Sequence, residues 1–209
     1  MRDVQSFRAA HSGAHRRKKD FGAGRRPVNL SGAPVSTEKG SPIRGATAVQ
    51  AFEFRRATVD DAAAIAAVHV QSHIETYGSL REGWSFATAV EWRLGLWTRA
   101  LAEDGFAFVA LDLGRVIGFG HAVGDRLTTL YLLAAYQKRG VGRRLLRLLL
   151  SELGMRGHAL VRLKVLASNV NAIGFYESQG AELVERIVVE MPTGTRNELV
   201  YEIATGAPN

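Results

Sequence analysis

From residue 53 onward, short apolar runs alternate with amphipathic stretches, and the two periods lay out an ordered series of elements. "EFRRAT" reads as a brief strand, and Thr58 followed by Asp61 has the spacing that starts a helix. Ile65, Val68 and His69 carry that helix toward Ser72 or His73. A second helical pattern follows Ser85, with Phe86, Val90, Leu94, Trp97 and Leu101 on one face and Trp92 and Leu96 on its flank. "FAFVALDL" and "VIGFGHAV" stand on either side of Gly114-Arg115, a hairpin signal, and "LTTLYLL" is a further strand. Gly142 to about Met155 is helical, with six leucines between Leu145 and Leu153 that must lie on a sheet. "ALVRLKVLA" has few polar breaks and reads as a central strand. A short helix from about Asn171 to Ser178 stops near Gly180, and "LVERIVVEM" and "LVYEIA" are two closing strands around the polar turn "PTGTRN". This order predicts an α/β fold, a mixed sheet flanked by helices.

Composition narrows the chemistry. With 209 residues, 46% of them hydrophobic, the chain can bury one good core. No run of about 18 apolar residues exists, so no membrane-spanning helix is predicted. Cysteine is absent, which excludes disulfides, thiol nucleophiles and thiolate metal sites. His69 and His73 are spaced i, i+4 but lack the rest of a zinc motif, so no metal is expected.

The formal charge of +7 lies wholly in residues 1–50, where ten Lys or Arg face Asp3, Asp20 and Glu38. Of the 27 basic and 20 acidic residues, seventeen of each remain in residues 51–209. Residues 1–50 are rich in Gly, Ser, Pro and Arg without a sustained apolar period, and are read as a basic, disordered leader ahead of a folded domain over 51–209. Three readings of the leader stand: a dispensable tail or misassigned start, an arm for nucleic acid or another polyanion, and a targeting segment.

The stretch "YQKRGVGRRLL" carries the most specific chemistry. A helix starting near Gly140 leaves about four unpaired backbone N–H groups, and its dipole adds roughly half a positive charge. Gly140 and Gly142 leave those amides open, while Gln137, Lys138, Arg139, Arg143 and Arg144 add donors and charge. Such a turn suits a phosphate or pyrophosphate; the alternative is a glycine-rich helix start with a solvated basic face. "GVGRRL" lacks the third glycine of a dinucleotide turn, and no Gly-Lys-Ser/Thr follows as in a P-loop.

"YQKRGVGRRLL" resembles the pyrophosphate-binding Q/R-x-x-G-x-G/A turn of the GNAT superfamily of N-acetyltransferases. "VLASNVNAIGFYESQGAELVE" resembles that family's downstream cofactor segment, and "FRRATVDDAAAIAAVH" its first strand and helix. The resemblance covers about residues 53 to 204. It implies a GNAT-like fold, a mostly antiparallel sheet whose fourth and fifth strands splay apart to admit acetyl-CoA. By the match, the turn from Gln137 through Lys138, Arg139, Gly140, Val141, Gly142 and Arg143 to Arg144 holds the pyrophosphate. A backbone N–H near Leu132 or Leu133 would stabilise the thioester oxygen. Asn169 is similar to an asparagine that contacts the pantetheine arm, with a helix cap as its other reading.

Tyr176 is similar to the tyrosine near the thioester sulfur, where a phenol can donate to the departing thiolate. With thiols titrating near 8.5 and tyrosine near 10, full transfer is uphill by about 2 kcal/mol before the site adjusts either value. The other reading of Tyr176 is a buried aromatic beside Phe175. The amine must also lose a proton, yet the position of the family's usual glutamate is Arg126. Glu75 and His121 are the leading candidates for the base, with Asp125, His73 and Tyr131 behind them.

Residues between Ile74 and Leu101 are expected to choose the acceptor; Trp84, Trp92 and Trp97 lie there with Glu75, Glu82 and Glu91, a set suited to a cationic amine. Trp97 falls on the packing stripe and also reads as core. The resemblance implies a cytoplasmic acetyl-CoA-dependent N-acetyltransferase, working on a primary amine in a ternary complex. A homodimer joined through the last two strands is a further expectation. The missing glutamate keeps a second class open, a catalytically weak acyl-CoA-binding or regulatory domain with a polyanion-binding arm.

Overall fold

The computed structural model describes residues 51–79, 85–103, 105–191 and 194–206. The leader, Glu82 and Trp84 lie outside them. The strands are β1 (Glu53–Arg56), β2 (Phe106–Asp112), β3 (Arg115–Val123), β4 (Arg126–Leu132), β5 (Leu160–Leu166), β6 (Glu182–Met191) and β7 (Gly194–Ala204). The helices are α1 (Ala62–Tyr77), α2 (Phe86–Ala102), α3 (Val141–Met155) and α4 (Val170–Ser178). One seven-stranded sheet runs β1-β2-β3-β4-β5-β7-β6, antiparallel throughout except between β4 and β5. The predicted order of elements and the mixed α/β architecture are those observed.

Pleat alternation divides the sheet between two helical layers. Val109, Leu111 and Phe119 pack with Ile65, Val68 and Trp97 of α1 and α2. Ala110 and Ile117, the intervening residues, pack with Val141 and Leu145 of α3 on the other face. Leu146, Leu149 and Leu153 of α3 continue into a cluster with Val161, Leu163, Tyr176 and Tyr201, so one leucine face holds β5, β7 and α4 as well. Gly120 makes room for this packing, because a Cβ there would strike Leu149.

Local signals mark the helix starts. Thr58 donates its N–H to Asp61 Oδ2 at 2.9 Å ahead of α1, and Arg55 holds the same carboxylate at 2.7 and 2.8 Å. Arg55 keeps Asp61 below the ordinary carboxylate range, against the opposing effect of burial. Ser85 caps α2 by accepting from the Thr88 N–H at 3.1 Å.

Three details depart from the sequence pattern. α1 runs a turn further than expected, to a left-handed Gly78 that ends it. Residues 194–197 of the expected polar turn belong to β7, whose pairing with β6 continues to Met191 and Gly194. The buried stripe of α2 passes through Ala89 and Trp97, while Phe86 and Leu94 stand 44% and 38% exposed. That stripe is rotated because α1 and the sheet meet α2 along the Ala89–Trp97 line, and Arg93 occupies the position between.

Candidate active site

β4 stays with β3 along its length but pairs with β5 only at Arg126–Arg162 and Leu127–Leu163. Beyond that point the two strands part, and the sheet opens. Leu133 donates its N–H to the Ile117 carbonyl opposite it at 3.0 Å. Alternation then turns the N–H and C=O of Leu130 and Leu132 away from β3, toward the opening. Of the two positions expected for an oxyanion amide, Leu133 is therefore committed to the sheet and Leu132 faces the gap. The Leu132 carbonyl accepts from Gln137 Nε2 at 3.3 Å, which ties the basic turn back to the strand.

The turn is shaped by two left-handed residues, Lys138 at φ 60° and Gly140 at φ 82°. Arg144 N–H to Gly140 C=O, 3.0 Å, is the first helical bond of α3. The N–H groups of Val141, Gly142 and Arg143 precede it and lack helical acceptors. A Cβ at Gly142 would sit 3.7 Å from the Phe175 ring and 3.9 Å from Leu132. The first turn of α3, the end of β4 and α4 thus converge at one place. From Arg143 a groove of about 350 Å³ runs outward between α3 and α4, lined also by Leu146, Arg147, Leu150, Ser178 and Gln179. Arg139 lies over the Tyr136 ring at 5.7 Å, and Tyr136 donates to Asp112 at 3.1 Å.

The two glycines of the turn have opposite conformational demands. Gly140→Ala is expected to lower stability by about 1 kcal/mol through left-handed strain, although no atom obstructs a Cβ there. Gly142 is helical, and Gly142→Ala is expected to stabilise by up to about 1 kcal/mol. Urea unfolding of both variants checks the pair; equal shifts of one sign would remove the assigned turn geometry.

Asn169 opens α4, accepting the Ala172 N–H at 3.1 Å while its Nδ2 donates to the Tyr77 hydroxyl at 3.3 Å. It is a helix cap that also reaches across to α1. Tyr176 is 8% exposed, within the cluster under α3. Burial keeps its phenol well above the ordinary tyrosine range, and Tyr131 of β4 adds to this.

The last turn of α1 touches both strands where they separate. Glu75 Oε2 accepts the Ala134 N–H just past β4 at 2.8 Å, and its Oε1 accepts from Gln71 at 3.0 Å. Tyr77 meets Asn169, just past β5. Behind them His69 stacks on Tyr131 with ring centroids 4.6 Å apart and accepts from Trp97 Nε1 at 3.1 Å through Nδ1. Burial, with lesser contributions from Arg93 and His73, pushes His69 down to about 3.

His121 lies behind Trp97, further from Glu75 and the end of β4. It pairs with Thr129, nearer the end where β4 still meets β5, and its ring lies edge-on to Trp97 at 5.4 Å. Nδ1 shares a 2.7 Å hydrogen bond with Thr128, and Nε2 is buried short of hydrogen-bond geometry with the Ala100 carbonyl. Burial lowers its proton affinity, and the Ala100 carbonyl opposes this. Asp125 and Arg126 form an exposed pair at 3.7 Å. Trp97 is core, 2% exposed, as its place on the stripe suggested. Among the described residues no group of three or more His, Cys, Asp or Glu could hold a metal ion, and no helix is long and apolar enough to cross a membrane.

The β4–β5 pair thus parts beside the open N-terminus of α3 in a mixed α/β sheet. The model of the acetyltransferase (GNAT) family matches residues 70–181, and the chain belongs to that family. A 45-residue stretch is 53% identical to the [Ribosomal protein bS18]-alanine N-acetyltransferase of Escherichia coli K12, covering 22% of this chain and 30% of that protein. The match thus spans less than a third of the relative's length. A GCN5-related N-acetyltransferase from Rhodopseudomonas palustris superposes with a TM-score of 0.60 at 21% identity, over 73% of this chain and 94% of that one. The yncA protein of Salmonella typhimurium, solved with its cofactor acetyl-CoA, gives 0.59 at 20% identity over 76% and 98%. At these identities the superpositions establish the fold.

Proposed function

We propose that this chain transfers an acetyl group from acetyl-CoA to a primary amine by direct attack in a ternary complex. The observation that carries this is the opening of β4 from β5 at the point where the first turn of α3, Leu132 and α4 converge. The residues present fit acetyl-CoA. Free amides at Val141, Gly142 and Arg143, with Gln137, Lys138, Arg139, Gly140 and Arg144 around them, suit its pyrophosphate. The backbone edge at Leu130 and the Leu132 N–H, turned away from β3, suits the amides of the pantetheine arm, much as a sheet edge takes an added strand. Asn169 offers its side chain at the far wall, and the groove from Arg143 suits the adenosine end.

In this reading the amine nitrogen bonds to the acetyl carbon as the carbon–sulfur bond breaks. The Leu132 N–H faces the carbonyl oxygen as it gains charge. Tyr176 remains neutral, its raised proton affinity keeping the O–H in place, and donates to the departing sulfur. Glu75 takes the amine proton through water; its carboxylate reaches the end of β4, and two hydrogen bonds fix its direction. His121, enclosed beside Trp97 and Thr128, is the less favourably placed of the two candidate bases.

Calorimetric titration of the full chain tests the assignment. Acetyl-CoA is expected to bind at least about tenfold tighter than S-acetylpantetheine, which lacks the phosphates, and thiol release should follow addition of amines. Equal affinity for the two donors would show that the turn does not hold phosphate, and absence of acetyl-CoA binding would overturn the proposed activity.

A further inference from the structure

Ala89, Arg93 and Trp97 stand four residues apart on one line of α2. Ala89 and Trp97 are each 2% exposed, so Arg93 sits on a packed stripe between them. Its Nε is buried without a hydrogen-bond partner. Among the described residues no carboxylate pairs with its guanidinium. The groups near it are the Trp92 ring at 5.4 Å, His69 and His73 of α1, and Tyr131 of β4. None of these supplies a negative charge at neutral pH.

Arg93 is half-buried as a residue, but a buried donor such as its Nε costs free energy when left without a partner, and buried polar groups in native proteins are rarely left so. The surroundings of Arg93 point to what completes it. Arg93 lies one helical turn before Trp97, whose indole bonds His69 at 3.1 Å; His69 stacks on Tyr131 at 4.6 Å, and Tyr131 adjoins Leu132 at the opening of the sheet. The guanidinium therefore belongs to the surroundings of the reacting centre, on the α1–α2 face of the sheet. The α3 turn that suits the phosphates of acetyl-CoA lies with the opposite layer, so those phosphates have their own receptor.

We propose that Arg93 receives a carboxylate carried by the acceptor amine, so that the acceptor is an amino-acid-like molecule with its amine directed toward Tyr176. This rests on the acetyltransfer reading above. A guanidinium presents parallel N–H donors that match a carboxylate, which an ammonium does not. Trp92 supports the guanidinium, while the Trp97 to His69 hydrogen bond fixes the adjoining wall. Beside a half-buried guanidinium the added negative charge meets a cation that water screens incompletely.

Short N-acetyl α- and ω-amino acids, each beside its carboxamide, are the probes, titrated into the full chain in the presence of CoA. At least one carboxylate is expected to bind about tenfold or more tightly than its carboxamide. Arg93→Gln should erase that difference and Arg93→Lys retain part of it, with acetyl-CoA affinity unchanged in both as the check of folding. A wild-type chain that does not distinguish carboxylate from carboxamide, including by binding neither, overturns the proposal without using a variant. So does a preference that survives in Arg93→Gln. The same calorimeter reads acetyl-CoA separately: donor binding with thiol release from amines, but no carboxylate preference, would remove only the role of Arg93. Absent donor binding would remove the acetyltransfer reading itself.

Discussion

Replacing Tyr176 by Phe is expected to lower kcat by about 100-fold or more while leaving acetyl-CoA affinity within about twofold. The substitution keeps the ring that packs beneath α3 and removes the hydroxyl alone, so the buried cluster should survive. A departing thiolate needs a proton or a strong hydrogen bond, and this demand arises only as the carbon–sulfur bond breaks. An interaction confined to the transition state appears in kcat and kcat/KM together. Steady-state thiol release with binding measured by calorimetry makes the separation. Unchanged kcat would reduce Tyr176 to a packing residue, and a matching loss of acetyl-CoA affinity would make it a binding contact.

Acidification should destabilise the fold through His69. Its folded value of about 3 lies below the roughly 6.5 of an unfolded histidine. Between those values the unfolded chain binds the extra proton, so stability falls as pH falls. The slope from this one group approaches about 1.4 kcal/mol per pH unit well below 6.5, which amounts to about 2 kcal/mol between pH 7 and 5. His73 and His121 are lowered by burial too and act in the same direction. A comparison with His69→Gln isolates the term, because glutamine offers Trp97 an acceptor that does not titrate. Urea unfolding at pH 7 and pH 5 should show the variant losing about 2 kcal/mol less than the wild type; parallel losses would mean His69 is protonated without cost in the fold.

Most of the architecture was legible because long elements with one buried face carry a strong period. The leucine face of α3 and the β2–β3 hairpin needed no tertiary information beyond a sheet to pack against. The glycine turn was legible as the start of α3, Asn169 as a helix cap and Tyr176 as a buried aromatic, each from local spacing. The structure adds that Leu132, rather than Leu133, turns its amide to the opening, which depends on hydrogen-bond alternation and hence on register. Arg93 was missed for a different reason. A search for apolar residues at helical spacing passes over a charged residue on the buried stripe, and Phe86 and Leu94 drew the predicted face away from it. Counting four residues on from Ala89 and four back from Trp97 was the available signal. The contact of Glu75 with Ala134 joins residues 59 positions apart, and no local pattern encodes it.

β4 also bears on how such a protein could change over evolutionary time. Tyr131 belongs to the layer of α1 and α2, while Leu132 packs into the layer of α3. Neighbouring codons of one strand therefore answer to different ligands in the proposed reaction. Substitutions on the Tyr131 side, or on the exposed flank of α2, could retune acceptor preference while the grip on the acetyl donor is inherited intact. Such separability would let a lineage explore new amines without first rebuilding the chemistry.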